Sequence, residues 1–146
     1  MSEARAWEIA ITRIYDAPRE LVWRAWTEPD QIARWWGKRG WTTPPSSVTL
    51  DVRPGGVFRL LSISQHDGSH MRLDAVYREV VAPERLVFGG DDGRVGTVTF
   101  TDLGDGRTEM DFHTTIHTTE QTRRAAEGGL SSAFDRLAET LEEEQR

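Results

Sequence analysis

The sequence predicts an α+β domain in which a curved antiparallel sheet wraps around one long C-terminal helix. Three observations predict it. Segments 57–65 and 69–80 alternate in polarity and flank Asp67-Gly68, a strong hairpin signal. A second pair of strand-like segments flanks Gly104-Asp105-Gly106. Residues 119–144 then carry Leu130, Phe134, Leu137 and Leu141 at helical spacing. One helix covers only part of so wide a sheet, so the sheet must curve around it, and space is left between the layers.

The elements follow in order. Trp7 to Ile14 alternates, with Trp7, Ile9 and Ile11 on one side, and predicts a first strand. Asp16-Ala17-Pro18 predicts a helix start, with proline in the first turn, where its missing N–H costs nothing. Leu21, Val22, Ala25 and Trp26 continue that helix. Thr27 is the expected cap of a second short helix, which carries Ile32, Trp35 and Trp36 and ends at Gly37. Residues 38–47 hold Gly40, Pro44 and Pro45 and predict a loop. Val48 to Val52 predicts a strand closed by Pro54-Gly55-Gly56.

With Asp67-Gly68 as a two-residue turn, Phe58 opposes Tyr77, Leu60 opposes Ala75, Ser62 opposes Leu73 and Ser64 opposes Met71. That face is apolar and points inward. Arg59, Leu61, Ile63, Arg72, Asp74 and Val76 take the other face. Arg85 to Phe88 predicts a short strand reached through Ala82-Pro83. In the last hairpin a two-residue turn would set Asp102 against Glu109. A three-residue loop instead sets Phe100 against Met110 and Val98 against Phe112, with Gly106 in a left-handed bulge. Thr118, with Gln121 three residues on, predicts a capping box for the final helix. Gly128-Gly129 predicts a kink there, a close approach to the sheet beside an open space, or a cap followed by a second helix.

The 146 residues predict a single domain, 1–146, large enough for its own core. A formal charge of −6 argues against a nucleic-acid partner, which needs a basic face. No apolar run is long enough to span a membrane, and Met1-Ser2-Glu3-Ala4-Arg5 lacks the apolar stretch of a signal peptide. The absence of cysteine removes thiol chemistry and, with those two features, predicts a cytoplasmic protein.

The opening run from Ile11-Thr12-Arg13-Ile14-Tyr15-Asp16-Ala17-Pro18 through Leu21-Val22-Trp23-Arg24-Ala25-Trp26-Thr27-Glu28-Pro29, followed by Trp35-Trp36-Gly37, resembles the heat-shock-protein-90 ATPase activator-like family of the START-like (SRPBCC, birch-pollen-allergen-like) superfamily. Arg53-Pro54-Gly55-Gly56-Val57-Phe58-Arg59, Pro83-Glu84-Arg85-Leu86-Val87-Phe88, Thr97-Val98-Thr99-Phe100 and the Gly128-Gly129 helix extend the resemblance over about residues 7–142. It implies a helix-grip fold with a hydrophobic cavity between sheet and helix. Leu130 stands where that family usually has tryptophan, and Ala75 where glycine is common, so the cavity's shape here departs from that of relatives.

No motif specifies catalysis. No Gly-x-Ser-x-Gly or His-Glu-x-x-His is present, and His113 and His117 lie about 13 Å apart on one strand. The loop Gly89-Gly90-Asp91-Asp92-Gly93 lacks the following helix that a phosphate cradle needs. No catalytic residue, metal or cofactor is assigned. The expected ligand-lining set is Phe58, Leu60, Leu73, Tyr77, Phe88, Val98, Phe100, Met110 and Phe112 from the strands and Leu130 and Phe134 from the helix. Trp35, Trp36 and Trp41 are placed at the mouth, and Tyr77 and Ser62 are the polar groups able to orient a ligand. The leading functional reading is a protein, monomer or homodimer, that binds an apolar small molecule or lipid. The alternative is a co-chaperone-like interaction module with a protein partner, using Leu61, Ile63 and Val76. A cavity enzyme of the cyclase or hydrolase kind ranks last, because only Tyr77 supplies an ionisable group facing inward.

Overall fold

The computed structural model describes residues 3–90 and 94–146. Asp91, Asp92 and Gly93 of the glycine-rich loop lie outside the described residues, as do Met1 and Ser2. The chain runs β1 (Arg5–Tyr15), α1 (Arg19–Thr27), α2 (Pro29–Ile32), β2 (Trp41–Thr42), a 3-10 turn (Pro45–Ser47), β3 (Thr49–Leu50), β4 (Val57–Ser64), β5 (His70–Val81), β6 (Arg85–Gly89), β7 (Val95–Asp102), β8 (Thr108–Thr118) and α3 (Glu120–Glu144). The strands form one antiparallel sheet in the order β1-β8-β7-β6-β5-β4-β2, with β3 also on β4. The first and last long strands meet (Ile9 opposite Thr114, Ile11 opposite Phe112), and α3 lies over that side of the sheet. This is the expected α+β helix-grip architecture.

Several local expectations need correction. In the first hairpin Phe58 opposes Ala75, Leu60 opposes Leu73 and Ser62 opposes Met71. The pairing is shifted by two residues from a two-residue turn, so residues 65–68 form the connection. A tight Asp-Gly turn needs positive φ at both positions; only Gly68 has it, at φ 75°. The Ser64 hydroxyl instead accepts the His66 and Asp67 N–H groups, and the Asp67 carboxylate accepts from Ser69 N. A shift of two keeps every side chain on its expected face. The second hairpin has the expected three-residue loop, with Phe100 opposite Met110 and Val98 opposite Phe112.

Helix starts move by one or two residues, and α2 ends at Ile32, so Trp35 and Trp36 lie beyond the helix expected to carry them as far as Gly37. Pro18 is the N-cap of α1 rather than a residue of its first turn, and its carbonyl accepts from Leu21 and Val22. Thr27 closes α1, its hydroxyl donating back to the Trp23 carbonyl, so Glu28 becomes the N-cap of α2. Thr118 still pairs with Arg5, which extends β8 and passes the cap of α3 to Thr119; its hydroxyl oxygen accepts from Thr122 N. Gln121 therefore misses the capping-box position. Gly128 and Gly129 lie inside an unbroken helix. The 48–52 segment pairs at Thr49–Leu50, its last ladder bond running from Asp51 N–H to Val57 O, and the chain then turns with Arg53 N–H on Asp51 O. The 38–47 loop contains β2 and the 3-10 turn.

The core is aromatic. Trp26 from α1 sits in the centre, its ring centroid 4.9–6.5 Å from those of Trp35, Trp36, Phe88, Phe100, Phe112 and Phe134. Such contacts add to burial when rings meet edge to face or tilted.

Candidate functional site

The strand registers decide which side chains face α3. Phe58, Leu60, Val98, Phe100, Met110, Phe112 and Phe88 all do so and are buried, as are Tyr77, Trp35 and Phe134. Ten of the fourteen expected lining residues thus lie within the packed interior. Trp36, Leu73 and Leu130 are half-buried against it, and Trp41 is half-buried at the rim.

The inner face is not covered evenly. Met71 shares the inward face with buried Ser62, yet 65% of its surface is exposed. Trp41 opposes Ser64 on the same face. The half-buried residues in the first half of α3 are Glu120, Arg123, Ala126, Glu127, Gly129, Leu130 and Ser131, of which Leu130 is the one large apolar side chain. A Cβ added at Gly129 would meet no atom within 4 Å. Gly129 stands three residues before Ser132 and seven before Arg136, on one helix face. Ser132 Oγ accepts the Arg39 N–H at 3.0 Å, and Arg136 reaches the carbonyls of Gly37 and Trp41. Around Ser132 and Arg136 that face therefore looks at the 36–41 segment.

Polar groups hold this frame. The Arg136 guanidinium donates to the carbonyl oxygens of Gly37 (2.7 Å), Arg34 (3.1 Å), Trp41 (3.2 Å) and Trp36 (3.3 Å). Burial, and then the neighbouring Arg39 charge, lower its pKa. Arg39 itself pairs with Glu139, and Arg34 with Glu143 and Glu144. Thr43 and Ser62 join hydroxyl to hydroxyl at 3.0 Å, and Thr43 also donates to Trp36 O.

Sequence reasoning missed an inward ionisable group, Arg13. It shares the parity of Ile9 and Ile11 and binds Asp135 and the Ser131 hydroxyl of α3. The alternation that assigned Ile9 inward already pointed at it. Tyr15 beside it donates to Phe134 O at 2.9 Å. At the other end of β1, Trp7 lies between Arg5 (3.7 Å) and Arg123 (4.9 Å) and donates to Thr118 O. These contacts tie α3 to β1, so Arg13 is occupied in holding the helix.

Among the described residues four buried donor atoms, Arg19 Nε, Trp26 Nε1, Tyr77 Oη and Arg123 Nε, have no hydrogen-bond partner. Burial, with a smaller contribution from Asp51, pushes the Tyr77 hydroxyl well above its ordinary pKa. The acids considered for chemistry face outward: Asp74 pairs with Arg59 at 2.9 Å, Asp111 accepts from Thr12, and Glu109 opposes Thr101. Among the described residues no group of three or more His, Asp or Glu is placed to hold a metal ion. No helix among them is long and apolar enough to cross a membrane. A groove of ≈ 200 Å³ beside β4 and β5 is lined by Ser47, Thr49, Arg59, Leu60, Leu61, Arg72, Leu73 and Asp74.

Residues 16–142 match the model of the family described as Activator of Hsp90 ATPase homolog 1-like protein. The chain belongs to this family. Solved structures agree on the fold. A protein from Nitrosomonas europaea is 22% identical with a TM-score of 0.80, over 94% of this chain and 96% of that one. An AHSA1-like protein from Aeromonas hydrophila is 28% identical with a TM-score of 0.75, over 90% and 92%. A protein of unknown function from Staphylococcus aureus is 21% identical with a TM-score of 0.77, over 98% of each chain. No curated protein matched the sequence.

Proposed function

We propose that this family member binds an apolar small molecule in the cleft between the first half of α3 and the inner face of β4–β5. The observation that carries the reading is Met71. An inward-facing methionine that keeps 65% of its surface exposed marks an unfilled part of the grip. Trp41, Leu73 and Leu130 are half-buried, and soluble domains rarely leave large apolar surface open without a partner for it. The fully buried aromatics, Trp26 and Phe58 among them, act as the floor that gives the cleft its shape.

A thermal-shift panel of fatty acids, sterols and aromatic polyketides, read also by tryptophan fluorescence, tests it. A ligand that binds only the folded chain raises Tm by mass action. Gly129→Phe provides the control, since an added Cβ there meets no atom within 4 Å and the ring adds bulk to the first half of α3. The variant is expected to fold normally and to lose every ligand-induced shift. Silence of the native chain across the panel overturns the reading. It would favour the interaction-module alternative, for which the exposed Val76 and half-buried Leu61 and Ile63 on the outer face supply the surface.

A further inference from the structure

The groove of ≈ 200 Å³ beside β4 and β5 plays no part in the cleft reading. Arg59, Leu61, Arg72 and Asp74 line it. They alternate with buried Phe58, Leu60 and Ala75, so their side chains take the outer face of the sheet, away from α3. Arg59 opposes Asp74, and Leu61 opposes Arg72. The two arginines are diagonal neighbours on that face, about 7–8 Å apart, and both reach the same space. The Ser47 hydroxyl accepts the Leu61 N–H at 3.2 Å and fixes the wall on the β4 side. Asp74 is engaged by Arg59 Nε at 2.9 Å. The Arg72 side chain is exposed and makes no ion pair or hydrogen bond among the described residues. Two arginines against one aspartate leave the groove with one positive charge in excess, on a chain of net charge −6.

We propose that this groove binds a small organic monocarboxylate, with the carboxylate on the Arg72 guanidinium and the apolar body against Leu61. The two residues are direct cross-strand partners, so one short ligand touches both. A planar guanidinium donates two parallel hydrogen bonds to a carboxylate. The charge count selects a monoanion. A phosphate monoester would bring a second negative charge beside Asp74, which the single excess positive charge does not offset. The volume sets the size: pockets for drug-sized ligands begin at about 300 Å³, so this groove suits a body of about one ring. The site lies on the opposite face of the sheet from α3 and does not depend on the cleft.

The test titrates benzoate, benzyl alcohol and inorganic phosphate into the isotope-labelled native chain, Arg72→Gln and Asp74→Asn. Amide chemical shifts locate the site and give the Kd. Arg72 and Asp74 are both exposed, so their replacement leaves the fold intact, and the amide spectrum itself shows this. Benzoate is expected to shift the amides of residues 47–49, 59–61 and 72–74. Its affinity should fall about three- to fivefold in Arg72→Gln, the range for an exposed ion pair. It should rise in Asp74→Asn, where the excess positive charge goes from one to two, and fall with added salt. Benzyl alcohol should bind more weakly than benzoate and equally to the native chain and Arg72→Gln. Unchanged benzoate affinity in Arg72→Gln, or benzyl alcohol binding as tightly as benzoate, overturns the carboxylate assignment. Phosphate binding more tightly than benzoate overturns the choice of a monoanion. Absence of benzoate shifts in those three segments overturns the groove as a site. Shifts confined to Gly129 and Leu130 do the same and leave the cleft standing.

Discussion

Arg136 makes the most exacting test of how α3 fixes the Trp35-Trp36-Gly37 segment. Arg136→Met keeps the aliphatic stem and removes the guanidinium. Four carbonyls then lose a donor, at 2.7, 3.1, 3.2 and 3.3 Å. A hydrogen bond from a charged donor contributes about 1.5–3 kcal/mol. Three of the four acceptors share one nitrogen, so two bonds carry most of the energy, together about 3–6 kcal/mol. The site is half-exposed, and water can replace part of this. The expected destabilisation is therefore about 2–3 kcal/mol, or roughly 8–12 °C in Tm for a chain of this size. Arg136→Lys should recover less than half, because an ammonium lacks the planar fork that reaches four acceptors. Urea unfolding followed by tryptophan fluorescence and far-ultraviolet circular dichroism measures both variants. A loss below 0.5 kcal/mol in Arg136→Met, or full rescue by lysine, would refute the claim that this fork holds the loop.

Other predictions concern the core, the turns and pH. Trp26→Ala should cost about 3–5 kcal/mol and Trp26→Phe clearly less, since phenylalanine keeps most ring contacts and removes the unpartnered Nε1; denaturant midpoints compare them. Gly56→Ala should cost more than any exposed glycine substitution, because its Cβ would lie 1.9 Å from the Asp51 carbonyl oxygen. Thr119→Ala should cost about 1 kcal/mol and Thr118→Ala less than half of that, if Thr119 is the cap. The two tyrosines, Tyr15 and Tyr77, both have raised pKa values, chiefly through burial. An unfolded tyrosine ionises near pH 10 while these stay neutral, so the native state holds more protons above that pH and stability falls as pH rises. Absorbance at 295 nm should show no tyrosinate until the chain unfolds in alkali. A smooth, reversible titration near pH 10 in the folded protein would count against that burial.

Alternation and turn chemistry determined much of this protein before any coordinate. The inward set from Phe58 to Phe112, the register of the Gly104–Gly106 hairpin, and one long helix after the strands all follow from period and loop length. These are local regularities, and each residue's neighbours in sequence reveal them. Tertiary structure decided what depends on distant partners. Thr118 yielded its capping role because Arg5, more than a hundred positions away, extends the ladder by one residue. The Asp67-Gly68 turn widened because the Ser64 hydroxyl accepts its N–H groups. Arg13 faces inward to reach Ser131 and Asp135, and Trp26 fills a centre that the sequence would equally have allowed to stay open. Cavity shape is set by how side chains from α1, α3 and the sheet meet, and no single segment carries that information. The exposure of Met71, opposite buried Ser62 on the inward face of β5, is such a property: it is fixed only when helix and sheet pack.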